Sequence, residues 1–229
     1  MTANDILNWY AGLTEVESLP PGVRMLHPYR NPATWEVVTA FYHQFYADSG
    51  PRHLILGINP GRLGAGTTGI PFTDPIRLQS HCGLPWNGPT SHETSSAFVY
   101  QVINQWGGAS AFYRDFFIGA VSPLGLVQTT PSGGEVNANY YDNPAIFQAL
   151  LPFMQANLRW QAQHTVSKRV LLYGRGKNLA ALNRINQTLH LFQEVRAVEH
   201  PRYIMQYKAK QVPLFINRHV EALAWLKEG

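Results

Sequence analysis

The chain is poor in cysteine and in charge. One cysteine, Cys82, among 229 residues excludes a disulfide framework and any four-cysteine zinc or iron–sulfur site. Only 14% of the residues are charged, against 45% hydrophobic, which excludes a disordered chain. No apolar run reaches membrane-spanning length. Met1 to Leu13 lacks a basic start followed by an apolar block, so no signal peptide is expected and the setting reads as soluble, reducing and cytoplasmic. Acidic residues are missing from His200 to Val220, where Arg202, Lys208, Lys210 and Arg218 carry the whole formal net charge of +4. Beside Tyr203, Met205 and Tyr207, that segment suits a phosphate backbone with stacked bases. Composition alone favours the plainer alternative, a solvated surface with snorkelling lysines.

What the chain does have is an alternation of apolar runs and helical periodicity. Leu54-Ile55-Leu56, Phe116 to Val121, Val170 to Gly174 and Phe192 to Val198 read as four strands. Between them, helical spacing is predicted after Asn31-Pro32, over 93–106, 144–163 and 177–190, with a last helix from Pro213. Thr90…Glu93 has the form of a capping box for the second of these. Residues 73–92 and 128–143 read as loops. Strands separated by helices imply a parallel sheet covered on both faces, in a single domain over 1–229. Ligands of such sheets bind beyond the carboxyl ends of the strands. Three segments leaving strand ends carry the polar residues: Asn59 to Asp74, Ser122 to Asn143, and His200 to Gln211.

The richest of these runs from Gly57-Ile58-Asn59-Pro60-Gly61 to Thr68-Gly69-Ile70-Pro71-Phe72. It contains Gly64-Ala65-Gly66-Thr67-Thr68-Gly69, literally G-x-G-x-x-G, but Pro71 and Pro75 follow at once. A dinucleotide-binding unit needs a helix there, so that reading is rejected. Gly174-Arg175-Gly176-Lys177-Asn178 lacks the spacing and the hydroxyl of a Walker loop. Asn59 follows one strand and Glu199-His200-Pro201-Arg202 follows another. Alone, each is more often a turn residue; their pairing at two strand ends raises them to site candidates. His81-Cys82 has no partner at ligand spacing and reads as a buried thiol. Asp74 before Pro75 reads as a turn former.

These motifs resemble the single-strand-selective monofunctional uracil-DNA glycosylases. The stretch Gly57 to Phe72 is similar to that family's first motif without a gap, and His200-Pro201 to the start of its second. The resemblance spans roughly residues 50 to 220. It implies a three-layer α/β/α fold with a four-stranded parallel sheet. It also implies hydrolytic removal of uracil or a modified uracil from single- or double-stranded DNA, with no metal or cofactor, by a monomer away from membranes. By the same resemblance Asn59 positions the attacking water, backbone around Ile58 and Gly61 lines the water and base, Phe72 stacks on the flipped base, and His200 hydrogen-bonds uracil O2. Arg202, Tyr203 and Met205 are wedge candidates for the gap left by that base, and Lys208 and Lys210 are expected on phosphates.

The chain departs from the family at two places. The position of the family's uracil-reading Asn falls on Ala120, and the second motif continues Arg202-Tyr203-Ile204-Met205-Gln206. Ser122, Asn137 and Asn139 are candidates to supply the missing contact. A catalytically inactive DNA-binding protein of the same fold, or a small-molecule hydrolase using the same strand ends, are the alternative functions.

Overall fold

The computed structural model describes residues 1–166 and 168–228. In chain order the helices and strands are α1 (Ala3–Ala11), β1 (Val23–Leu26), α2 (Pro32–Phe45), β2 (His53–Gly57), α3 (Ala65–Thr68), α4 (Pro75–Cys82), α5 (Thr94–Gln105) and α6 (Ala109–Asp115). Then follow β3 (Phe116–Ala120), β4 (Gly125–Thr129), β5 (Glu135–Ala138), α7 (Pro144–His164), β6 (Arg169–Tyr173), α8 (Lys177–Leu189), β7 (Glu194–Val198), α9 (Pro201–Tyr207) and α10 (Val212–Lys227). Among the described residues, no helix is long and apolar enough to cross a membrane.

The architecture is a three-layer α/β/α fold around a four-stranded parallel sheet, ordered β3-β2-β6-β7. Leu54, Ile55, Leu56, Val170, Leu171 and Leu172 are fully buried, as expected of strands covered on both faces. β2 and β3 run in register to their ends, Gly57 opposite Ala120. The chain goes from β2 to β3 on one side and then crosses to β6 on the other, so strand order reverses at β2. That is where a parallel sheet opens a crevice for ligands.

A second sheet was not anticipated. β1, β4 and β5 form an antiparallel set in the order β1-β4-β5, so residues 128–143, read as a loop, hold most of a hairpin. Its strands carry Arg24, Gln128, Glu135 and Asn137, and their pairing depends on tertiary contacts that no local apolar period announces. Residues 73–92 also differ from the loop expected. Asp74 caps α4 by accepting from the Arg77 N–H, with Pro75 in the first turn, where a missing N–H costs nothing. The Asp-Pro pair therefore starts a helix instead of turning the chain. The Thr90…Glu93 capping box does not form; Glu93 itself is the N-cap of α5 and makes no side-chain cap bond. After His200, the expected loop is α9, capped by the His200 side chain. The dinucleotide reading stays excluded, because Gly69 closes the short α3 in a left-handed conformation (φ 73°) and opens no helix.

Gln161, fully buried on α7, clamps the end of β3. Its Oε1 accepts from the Ala120 N–H at 3.2 Å and its Nε2 donates to the Ala120 carbonyl at 3.0 Å. A methyl group at Gly119 would overlap the Gln161 amide. Gly119→Ala should therefore push Gln161 off Ala120 and leave buried polar groups unpaired, costing about 1–3 kcal/mol. Urea unfolding measures it, and Gly119→Ala with Gln161→Ala should cost less than the two singles summed. An unchanged unfolding midpoint for Gly119→Ala would remove the clamp from the account.

Candidate active site

Beyond the carboxyl ends of β2, β3 and β7 lies a cavity of about 300 Å³. Its walls bring together Ile58, Asn59, Gly61, Phe72, Ala120, Asn139, His200, Arg202 and Tyr203, from segments far apart in sequence. Ligand sites commonly combine such an apolar lining with a few placed polar groups.

Asn59 is held at both ends of its amide. Nδ2 donates to the Ala138 carbonyl at 3.1 Å, and Oδ1 accepts from the Tyr140 N–H at 3.3 Å. Asn137 reaches the same loop, its Oδ1 accepting from the Arg62 N–H at 3.1 Å. The hairpin of the second sheet thus fixes the orientation of Asn59. Each amide end retains one further hydrogen-bonding direction, enough to orient a water molecule.

Phe72 has a left-handed backbone (φ 51°), a conformation costing a bulky residue on the order of 1–3 kcal/mol. Its ring sits 5.5 Å from that of Tyr173 and 5.8 Å from that of His200, centroid to centroid. The strained backbone turns this ring into the wall of the cavity, beside His200.

His200 ends the segment after β7. Its Nδ1 accepts from the Arg202 N–H at 3.1 Å, so the proton of the neutral ring is on Nε2, a free donor. Burial, reinforced by the Arg202 and His219 charges, lowers its pKa to about 4. At neutral pH His200 is an uncharged N–H donor. From beneath, His219 places its ring nitrogens 2.7 Å from the Phe215 carbonyl and 3.2 Å from that of Glu199, fixing the β7–α9 corner.

α9 forms the rim. Arg202, Tyr203, Gln206 and Tyr207 all line the cavity, while Pro201 and Ile204 on the other face are buried. Tyr203 and Tyr207, one turn apart, pair at 5.4 Å. Both are exposed, Tyr207 at 71%, so the pair offers an aromatic surface at the mouth of the cavity. Lys210 is exposed and Lys208 half-buried just beyond α9, outside the cavity wall.

Two expected residues, Ser122 and Met205, lie outside the cavity wall, and a third, Asn139, is engaged within the protein. Ser122 is fully buried, its hydroxyl donates to the Leu124 carbonyl at 2.9 Å, and it does not line the cavity; a contact to a base is excluded. Asn139 does line it, but its Nδ2 donates to both oxygens of Asp142, at 3.3 and 3.1 Å. Met205 is half-buried, packs against the hydrophobic core and does not line the cavity, which speaks against it as a wedge. Cys82 is buried, and burial lifts its thiol pKa to about 11, far from a reactive thiolate.

Sequence reasoning missed Glu93, which lines the cavity beside Gly61. Burial, with Asp74 nearby, raises its carboxyl pKa to about 7, against an opposing effect of Arg202. Its position three residues after Thr90 points to a capping role, which the folded chain does not use.

Because the folded His200 takes up a proton near pH 4 and the unfolded ring near the ordinary value of 6.5, the unfolded chain binds more protons between those limits. The stabilisation is complete above pH 6.5 and drains as pH falls toward 4. Unfolding midpoints in urea at pH 7, 5.5 and 4.5 should show the wild type losing ground to His200→Asn as the pH drops. Parallel curves for the two proteins would mean that His200 is not shielded.

Residues 43–226 match the Uracil DNA glycosylase superfamily. The crystal structure of wild-type SMUG2 from Pedobacter heparinus is similar throughout: 40% sequence identity, a TM-score of 0.95, and coverage of 99% of this chain and 98% of that one. No curated protein matches the chain.

Proposed function

The chain belongs to the uracil-DNA glycosylase superfamily, and we propose that it hydrolyses the glycosidic bond of uracil, or of a modified uracil, in DNA and leaves an abasic site. The observation that carries this reading is the meeting of Asn59, Phe72 and His200 in one cavity at the carboxyl edge of the sheet.

The glycosidic bond breaks with positive charge growing on the sugar and negative charge on the base. Asn59, fixed by Ala138 and Tyr140, orients a water toward the sugar; being neutral, it is a poor base. Rate enhancement then comes from the leaving side. The His200 Nε2–H is a preorganised donor for O2 of the departing base, and one such donor contributes on the order of 3–4 kcal/mol in a dry site. Phe72 supplies a face on which the extruded base stacks. Among the described residues no lysine lines the cavity, which favours water over an amine as the nucleophile. This supports a monofunctional reaction.

DNA approaches along α9. Arg202 and the Tyr203–Tyr207 pair stand at the rim, suited to phosphate and to base stacking. Arg202 and Tyr203 are the candidates to fill the space of the flipped base. Lys208 and Lys210 neutralise phosphates further along the strand.

Asn59→Ala should reduce single-turnover release of uracil from a labelled oligonucleotide by roughly a hundredfold or more, while affinity for the same DNA stays near wild type. A wild-type rate would sink the water-positioning role. The pair Lys208→Ala with Lys210→Ala should weaken binding equally for all sequences and flatten the salt dependence by about one unit per contact. An unaltered slope would put the DNA on another face.

A further inference from the structure

The cavity has an unfilled role and an unemployed group. Ala120 stands where the family reads the base edge, and its own backbone N–H and carbonyl are both taken by Gln161. Several other polar side chains around it already spend at least one hydrogen bond within the protein. The Asn59 amide is tied to Ala138 and Tyr140, the Asn137 carbonyl to Arg62, and the Asn139 amide to Asp142. The Tyr29 hydroxyl donates to the Gly69 carbonyl.

Glu93 is different. Its backbone N–H donates to Asp74 at 2.9 Å, but among the described residues its carboxyl group has no hydrogen-bond or ion-pair partner. The carboxyl lies over the glycine loop, where any side chain at Gly64 would collide with it and a methyl at Gly61 would come within 3.3 Å. The loop is shaped around this carboxyl, and the carboxyl lines the cavity. Ser95, two residues on and buried, lines the same wall with no hydrogen bond to its hydroxyl among the described residues.

We propose that Glu93 contacts the substrate base directly, as an uncharged carboxylic acid whose O–H and C=O pair with a carbonyl and a ring N–H of the base. This deepens the glycosylase reading and rests on it. A carboxylic acid presents one donor and one acceptor side by side, the same pair as the side-chain amide that Ala120 lacks. The edge of uracil offers the complement, a ring N–H flanked by carbonyls. The charged form loses the donor and puts a negative charge beside a base that leaves as an anion, so ionisation opposes the reaction.

The surroundings raise the carboxyl pKa to about 7, so the uncharged acid is well populated up to neutrality and predominates below it. Asp74, at the cap of α4, faces it from below and disfavours its ionisation, and Asp74 is itself paired with Arg77 at 3.1 Å and with His92 at 3.5 Å. Arg202, on α9, faces it from the rim and favours ionisation, but is exposed to solvent. Arg62, on the glycine loop itself, is also exposed. A proton-holding carboxyl of this kind is an established device for donating hydrogen bonds at neutral pH.

The test is single-turnover release of uracil from a labelled oligonucleotide between pH 5.5 and 9, with the wild type, Glu93→Gln and Glu93→Ala. Glutamine keeps the donor–acceptor pair and cannot titrate. The wild-type rate should fall above about pH 7, approaching tenfold per unit. Glu93→Gln should stay within about threefold of wild type at pH 6 and lack that alkaline fall, while Glu93→Ala loses at least tenfold. The proposal is overturned if Glu93→Gln keeps the alkaline fall, if it is as slow as Glu93→Ala, or if Glu93→Ala matches the wild type. A wild type that releases no uracil at any pH overturns the glycosylase reading, and this proposal with it.

Discussion

Everything at the site depends on how the Asn59 amide is held. Its two hydrogen bonds, to the Ala138 carbonyl and from the Tyr140 N–H, join the end of a parallel strand to the end of a hairpin in the other sheet. The tie continues inward. The Tyr140 hydroxyl donates to the Asn178 Oδ1 at 2.5 Å, and Asn178 donates to the Tyr173 carbonyl at 3.1 Å, at the end of β6. Tyr173 in turn meets the ring of Phe72. A short chain of hydrogen bonds and one ring contact thus connects the water-orienting amide of the proposed reaction to its stacking wall. Buried polar groups of this kind cost about 1–3 kcal/mol each when left unpaired, so the network fixes one geometry more firmly than apolar packing would.

The same logic explains why the second sheet exists. A parallel sheet delivers strand ends, but a strand end is flanked by free backbone and solvent. The hairpin of β4 and β5 covers that edge and presents the Ala138 carbonyl to Asn59 and the Asn137 side-chain oxygen to the Arg62 N–H. Asn59 therefore has only a stub of glycine-rich loop on its own element, yet is clamped from outside. The loop stays thin enough for a ligand to approach.

The sequence made some of this plain and hid the rest for identifiable reasons. The four parallel strands are legible because strands buried on both faces must be nearly continuous apolar runs, as Leu54 to Leu56 and Val170 to Leu172 are. The small sheet is not, since Glu135-Val136-Asn137-Ala138 has little apolar period and acquires its structure by pairing with β4. The helix starts follow one rule. Asn31-Pro32, Asp74-Pro75, Asn143-Pro144 and His200-Pro201 all put a capping side chain before a proline in the first turn. Read consistently, the rule recovers α4 and α9 as well as α2 and α7. At the site, Asn59 and Phe72 stand out because the motif from Gly57 to Phe72 is specific, and His200 because it pairs with Asn59 at a second strand end. Glu93 does not, because what distinguishes it is a carboxyl group with no partner among the described residues, and only the fold reveals which partners are missing.

That rule also gives His200 a second meaning. A capping side chain spends one acceptor on the helix, here the Nδ1 on the Arg202 N–H. For Asn, Asp or Ser this ends the matter, but an imidazole has a second nitrogen on its far side. Capping fixes the tautomer, the tautomer places the proton on Nε2, and burial keeps the ring from taking up another. An uncharged donor suits the proposed chemistry better than a cation would. It adds no net charge to a site already close to DNA phosphates, needs no proton from solvent, and its hydrogen bond strengthens only as charge builds on the leaving base. That differential between ground and transition state is what accelerates a reaction, while uniform attraction merely tightens binding. The start of α9 thus sets the chemistry of the residue before it, while the rest of the helix carries the aromatic and basic rim toward which the strand would be drawn.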